Sequence, residues 1–499
     1  MAIDFGNVLV CGLGRSGGSA AKWCSEHMAC KNPTDGFSVR SLTVYAGPEN
    51  ESSRACAEQI AGPDVKVVFD SEDVEGAYDL AIKSPGISVF SEFYENAAKA
   101  SREVICEPEL AFRVSPARWV GVTGTNGKTT TTTLVASLFE TAGIKAHPSG
   151  NIGLPCIDAC SQRDDGDYIV AELSSFQLAS MPTFAPDAAI LLNITPDHVE
   201  WHKSLEHYAA SKARIFESQT PDQFAIVDCT ASSTRQLAID LVKAGHSVIA
   251  VGGPEGLEQD YLPLDDGMSA ECESEHLGSA YVRDGQLIVD IDGELHELAM
   301  ASDLKIAGAH NLQNALAASA AAVACGVPDD DVAMGLVLYR PMEHRVEPCG
   351  TVDGVRYYND SKATNTDAAA KALTAFKPGE VVLLLGGHDK GTDLADLVSD
   401  CLASCKAVVC FGEAGPRFHD AFVKALAASD SQCELLDAPH MAEALQVAAD
   451  AACPGNVVLL SPACSSFDEF GSFVERGNVF KKLVSDMFDA SRAAAQQGR

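Results

Sequence analysis

Residues 119–130, Trp-Val-Gly-Val-Thr-Gly-Thr-Asn-Gly-Lys-Thr-Thr, constrain this chain more than any other segment. An apolar run passes directly into a glycine loop and then into a threonine-rich stretch that reads as a helix. Strand, glycine loop and helix in that order predict an α/β domain with a parallel sheet, because such a unit returns to a parallel neighbour. The loop sits at the C-terminal edge of its strand. Gly124 and Gly127 let the backbone of Thr125 and Asn126 curl so that its amides face phosphate oxygens. Lys128 supplies a point charge near the β- and γ-phosphates, and Thr129, followed by Thr130, a hydroxyl for magnesium. The general pattern has glycine where Val122 stands, so this is a variant loop. ATP binding is the expectation.

The rest of the 499 residues alternates in the same way. The first block opens with Val8-Leu9-Val10-Cys11, a glycine turn and an alanine-rich helix, and continues with apolar runs at 41–46, 65–69 and 80–83. The second block begins near Trp119 and adds buried-strand runs at 168–171 and 188–192. Its acidic, turn-rich stretch from about Gly252 to Glu297 reads as a peripheral β excursion, and Ala315 to Ala324 as a helix ended by Gly326 and Pro328. The third block repeats the pattern with runs at 352–358, 381–385, 407–411 and 457–460. Three domains are expected: Rossmann-like over 1–117, a central phosphate-loop ATPase with a parallel sheet over 118–344, and Rossmann-like again over 345–499.

Charge narrows the partners. Lys plus Arg number 36 against 70 Asp plus Glu, a formal charge of −34. That excess argues against nucleic acid or an anionic membrane as partner. No run of about 18 apolar residues predicts a spanning helix, and the first residues lack a basic region followed by an apolar one, so no leader is expected. The 17 cysteines are scattered without a C-x-x-C pair, which favours reduced thiols in a cytoplasm over disulfides or zinc. Cys464 has no indicated partner base and is not expected to act as a nucleophile.

A second glycine loop, Gly12-Leu13-Gly14-Arg15-Ser16-Gly17, could cradle a diphosphate at a helix N-terminus. The next strand ends Tyr45-Ala46-Gly47 without the acid that NAD binding requires, so another nucleotide diphosphate fits better, and a structural glycine turn stays open. Glu172 ends an apolar strand, where an acid can hold magnesium or cap the following helix. His198, in Asn193-Ile194-Thr195-Pro196-Asp197-His198, ends the next strand; such a histidine is either a ligand or an ordinary satisfied polar residue. Lys212 lies in a helical stretch, 208–216, and a helix lysine is usually a solvated cation. Residue chemistry does not choose between Lys212 and Lys203.

Taken together these segments resemble the Mur ligases, the ATP-dependent amide-forming enzymes of peptidoglycan precursor synthesis. The resemblance rests on Gly124 to Thr130, Gly150-Asn151-Ile152-Gly153, Glu172-Leu-Ser-Ser-Phe-Gln-Leu178, Asn193 to His198 and Ser211 to Arg214. It continues through His310-Asn311-x-x-Asn314, Glu343-His344-Arg345, Asn359-Asp-Ser-Lys-Ala-Thr-Asn365 and Ser461-Pro-Ala-Cys-Ser-Ser466, and so covers all three blocks. The match is closest to the branch that adds D-glutamate to UDP-N-acetylmuramoyl-L-alanine.

The resemblance implies a monomeric, cytoplasmic ligase working through an acyl phosphate, with ATP and two magnesium ions. Thr129 and Glu172 match the ligands of the first ion. His198 and a carbamylated Lys212 match those of the second. Asn314, Arg345 and Asp360 match adenine and ribose contacts. Gly14, Arg15, Ser16, Ser84, Pro85, Gly86, Asn151 and Ser174 match the UDP-muramoyl site. Lys362, Thr364, Lys390, Ser466 and Phe467 match the D-glutamate pocket, where a lysine with hydroxyl donors suits a dicarboxylate. One departure stands out: Tyr45-Ala46-Gly47-Pro48-Glu49 replaces the Asp-Thr-Arg-like stretch that often holds the uridine.

Overall fold

The computed structural model describes residues 3–28, 36–196, 199–252, 277–306, 308–340, 343–389, 391–429 and 431–497. They form two compact units, Met1–Leu304 with Gln313–Tyr339, and Lys305–Leu312 with Arg340–Arg499.

The first unit carries two large sheets and a two-stranded pair, Ile3–Asp4 with Phe37–Ser38. One has five parallel strands in the order Val65–Phe69, Ser41–Gly47, Asn7–Cys11, Leu80–Lys83, Val104–Cys106. Its central strand Asn7–Cys11 runs into Gly12 and the helix Arg15–Glu26, the Rossmann-like start expected from the sequence. The other has nine strands. Trp119–Thr123 lies between Tyr168–Glu172 and Ala188–Leu191, all parallel, with Ala146–Gly150 at one edge. The three inner runs are buried at every position and apolar up to their ends at Thr123 and Glu172, as parallel strands covered on both faces require. Gly121 is demanded by packing: a Cβ there would press on the rings and methyls of Phe184 and Ile215.

Where it is described, the acidic stretch is β structure at the outer edge of the nine-stranded sheet, the peripheral β expected. Residues 253–276 lie outside the described set, but Leu277–Arg283 joins the nine-stranded sheet in parallel, and Gln286–Ile291 and Glu294–Met300 extend it antiparallel. The helical stretch around Lys212 begins three residues before the 208–216 expected. Leu205–Ala213 is α-helical and Arg214–Phe216 tightens to a single 3-10 turn.

The second unit holds six strands in the order Glu347–Val352, Val355–Asn359, Val457–Ala463, Val381–Gly386, Cys405–Phe411, Glu434–Asp437. The first two form a hairpin whose turn residues Asp353 and Gly354 both have positive φ, 49° and 81°, as a two-residue hairpin turn requires. The other pairings are parallel. Every cysteine among the described residues is a free thiol. No helix among them is long and apolar enough to cross a membrane.

Candidate active site

Three neighbouring strands of the nine-stranded sheet end together. Val122 pairs with Glu172 and Thr123 with Leu191, which brings the loop 124–127, Glu172 and the segment 193–196 to one edge. The loop is fastened there by its neighbour. Asn193 accepts from the backbone of Asn126 at 2.9 Å and donates back to its carbonyl at 3.1 Å, while its own carbonyl takes the Thr125 amide at 2.8 Å. The Thr125 hydroxyl meets the backbone of Thr195 and lies 3.0 Å from the Tyr208 hydroxyl. Gly127 adopts φ 84° as the residue before helix Lys128–Thr141, and a Cβ there would overlap the Asn314 side chain. Asn314 is therefore packed against the phosphate-type loop. Lys128 Nζ folds back on the carbonyls of Gly124 and Thr125 at 2.9 and 2.8 Å, and Thr129 and Thr130 are buried in the first helical turn.

Glu172 is 2% exposed. Its Oε1 accepts the Asn151 side chain at 2.9 Å, and its Oε2 is buried with no hydrogen-bond partner. An ionised carboxylate oxygen in that condition calls for a cation. Asn151, matched by resemblance to a substrate contact, thus serves Glu172 through side chain and backbone alike. Ser174 is the N-cap of the short helix Ser175–Leu178, in a capping box with Gln177.

Burial separates the two lysines that residue chemistry could not. Lys203 is exposed, whereas Lys212 is 1% exposed, donates to the Gly124 carbonyl at 2.7 Å and lies 4.6 Å from the Tyr208 ring centre. The solvated reading of Lys212 is overturned. His198 lies outside the described residues. The chain beyond it is pinned by His202, fully buried, with one ring nitrogen 2.8 Å from the Ser175 hydroxyl and the other 3.0 Å from His207.

At the five-stranded sheet, Cys11 pairs with Lys83, so Gly12 to Gly17 and Ser84-Pro85-Gly86 sit on adjacent strand ends. The Ser84 hydroxyl donates to the Gly12 carbonyl at 3.3 Å. Gly14 and Arg15 are exposed at the start of their helix, and Ser16 is half-buried.

In the second unit, Asn359 pairs with Leu460, bringing the segments 359–365 and 461–467 to one edge. Asp360 takes the Ser461 hydroxyl at 2.6 Å and the Val346 amide at 3.2 Å; burial pushes its carboxyl up to about 7, with Arg345 pulling the other way. Lys362 Nζ lies 4.6 Å from the Phe473 ring centre, Thr364 follows on the same loop, Ser466 is buried and Phe467 is 69% exposed. Lys390 lies outside the described residues, but its neighbour His388 donates its amide to the Ser465 carbonyl. Sequence reading missed Arg476. This buried guanidinium reaches the Ser361 hydroxyl and carbonyl at 2.9 and 2.8 Å and the carbonyls of Cys464 and Ser465 at 3.0 and 3.2 Å, stitching the two segments together. A single arginine in a helix carries no sequence signal of that role.

Comparison with known proteins agrees with this geometry. Family models described as the Mur ligase middle domain and the Mur ligase glutamate ligase domain match residues 122–322 and 344–464. UDP-N-acetylmuramoylalanine--D-glutamate ligase of Thermoanaerobacter pseudethanolicus is 35% identical over 483 residues, 96% of this chain and 98% of its own. The protein of that name from Pelotomaculum thermopropionicum is 38% identical over 409 residues, 81% and 83% of the two chains. Among solved structures, a pseudomurein peptide ligase type C from Methanothermus fervidus shares the fold with TM-score 0.55 at 16% identity, covering 96% of this chain and 99% of its own. With phosphate-type loop, strand-end glutamate and buried lysine converging on one sheet edge, and relatives matching nearly end to end, the chain belongs to the Mur ligase family.

Proposed function

We propose that this chain joins D-glutamate to the carboxylate of UDP-N-acetylmuramoyl-L-alanine, consuming ATP and releasing ADP and phosphate, in peptidoglycan precursor synthesis. The observation that carries the reading is the near full-length match to ligases of that name, met by a sheet edge that holds both the loop preceding Lys128 and Glu172, one of whose oxygens is unpartnered.

The chemistry fits these residues. A carboxylate is a poor electrophile. Transfer of the ATP γ-phosphoryl group gives an acyl phosphate, the amine of D-glutamate attacks its carbonyl carbon, and phosphate leaves as the tetrahedral adduct collapses. Backbone amides of 124–130 would cradle the phosphates, and Lys128, released from the loop carbonyls, would offset charge on the transferring group. Asn314, Arg345 and Asp360 would contact the adenosine.

The donor set also suits magnesium, a hard cation that takes oxygen ligands and commonly one or two carboxylates with substrate phosphates. No cluster of three or more His, Cys, Asp or Glu among the described residues forms an all-protein cage. Thr129 and Glu172 would hold one ion, and His198 with a carbamylated Lys212 a second; the bound ions would offset phosphate charge. For the other substrates, residues 14–16, 84–86, Asn151 and Ser174 would hold the muramoyl nucleotide. Lys362, Thr364, Lys390, Ser466 and Phe467 would hold D-glutamate. The reading includes a monomer in the cytoplasm.

Phosphate release measured with UDP-N-acetylmuramoyl-L-alanine and ATP, with and without D-glutamate, tests it. Release stimulated by D-glutamate and by no other amino acid in a screen is expected; release indifferent to any amino acid would describe an ATPase instead.

A further inference from the structure

Lys83 ends the strand Leu80–Lys83, directly before Ser84-Pro85-Gly86, and is 1% exposed. Its Nζ donates to the carbonyl of Phe176 at 3.2 Å and of Ile87 at 3.4 Å, and lies 5.6 Å from the Trp201 ring centre. The ionisable groups acting on it are the thiols of Cys11 and Cys106, both pushed up to about 12 by burial and so neutral. Burial holds the ammonium itself down to about 8. A buried cation facing neutral acceptors is costly to keep for stability, so its use lies in the direction of its hydrogen bonds.

Those bonds join two pieces of the site. Phe176 belongs to the helix Ser175–Leu178, which starts just after Glu172. The adjacent strand end makes the same connection: Cys106 donates its amide to the Ser180 carbonyl at 3.1 Å and its thiol to the Gln177 carbonyl at 3.3 Å. On its other side this helix meets His202 through Ser175, and the Phe176 ring lies 4.5 Å from that of Trp201. The helix is thus clipped between the ends of the five-stranded sheet and the chain that follows residue 198.

We propose that Lys83 is a positioning residue that keeps the Ser84-Pro85-Gly86 edge in register with the Glu172–Leu178 segment. The inference rests on the function proposed above. A long substrate held by its nucleotide at one sheet and reacting at its carboxylate at another gains rate only if the two sheets keep a fixed offset. Ångström-scale misplacement there costs up to about 100-fold.

The test uses the full chain with Lys83→Met and Lys83→Arg, comparing UDP alone with the whole substrate UDP-N-acetylmuramoyl-L-alanine. In Lys83→Met, folded by thermal melt, kcat/KM for the whole substrate should fall about 10-fold or more while the KM for ATP stays within about 2-fold. UDP alone should bind as it does to the wild type, and Lys83→Arg should recover part of the loss. An unchanged kcat/KM for the whole substrate, or equal losses for UDP, ATP and substrate, would overturn the proposal. Should Lys83→Met not fold, Lys83→Gln is judged by the same ratios. Wild-type protein that does not ligate D-glutamate would overturn the function reading and this inference with it. Wild-type ligation with unaffected variants would overturn this inference alone.

Discussion

The Asn151 side chain donates to Glu172 at 2.9 Å, a bond that uses one carboxylate oxygen and leaves the other buried without a partner. The pair orients the carboxylate and leaves Oε2 for the magnesium ion proposed there. Glu172→Gln preserves the acceptor for Asn151 and removes the charge. Turnover should fall by about 100-fold or more, while the melting temperature holds or rises, since a buried charge has been removed. Phosphate release across a magnesium series and a thermal melt check both; wild-type turnover at saturating magnesium would end the metal assignment.

Lys128→Ala should abolish catalysis and leave the fold intact. Its ammonium rests on two loop carbonyls at a half-buried position, so its loss costs little stability. In the reaction its charge would be worth about 100-fold or more. Near wild-type turnover at saturating ATP would sink this role for the loop.

Lys212→Ala should lose activity and regain part of it with acetate or another short carboxylate, which can enter the space left and replace an anionic magnesium ligand. Lys212→Arg should be worse, because it keeps a cation and fills the space. Full activity of Lys212→Ala would make this buried lysine merely structural. Inactivity without carboxylate rescue would count against the carbamate.

Arg476→Met should weaken both stability and D-glutamate use. It takes one donor away from each of the carbonyls of Ser361, Cys464 and Ser465, at a cost of about 2–4 kcal/mol. The segments 359–365 and 461–467 lose their common tie, so the KM for D-glutamate should rise more than that for ATP. Urea denaturation and steady-state kinetics measure the two effects, and a variant with wild-type urea midpoint would contradict the tie.

Glu107 gives the protein a pH-dependent liability. Its carboxyl is buried, accepts the Ile157 amide at 2.6 Å, and is pushed by burial from 4.5 up to about 8. Between those values the folded chain keeps a proton that the unfolded chain releases. Stability therefore falls as pH rises through that window, by at most about 1.4 kcal/mol per pH unit. Glu107→Gln does not titrate, so its advantage over wild type should grow from pH 5.5 to pH 8 and then level off. Paired denaturation curves at those pH values would show a constant difference if the shift were absent.

Local order determined much of this molecule. The passage from apolar strand to glycine loop to helix at 119–141, and again at 7–26, specifies parallel α/β sheets with ligand edges at the strand ends, because each step depends on neighbours in sequence. The same logic put Glu172 beside the loop that carries Lys128. Only the tertiary structure buried Lys212 and left Lys203 exposed, joined Asn193 to the loop, and gave Lys83 and Arg476 partners 93 and 115 residues away. A lysine or arginine reads alike in solvent and in a core. What decides its role is burial and the carbonyls that packing brings to it, and these arise from contacts between segments distant in the chain.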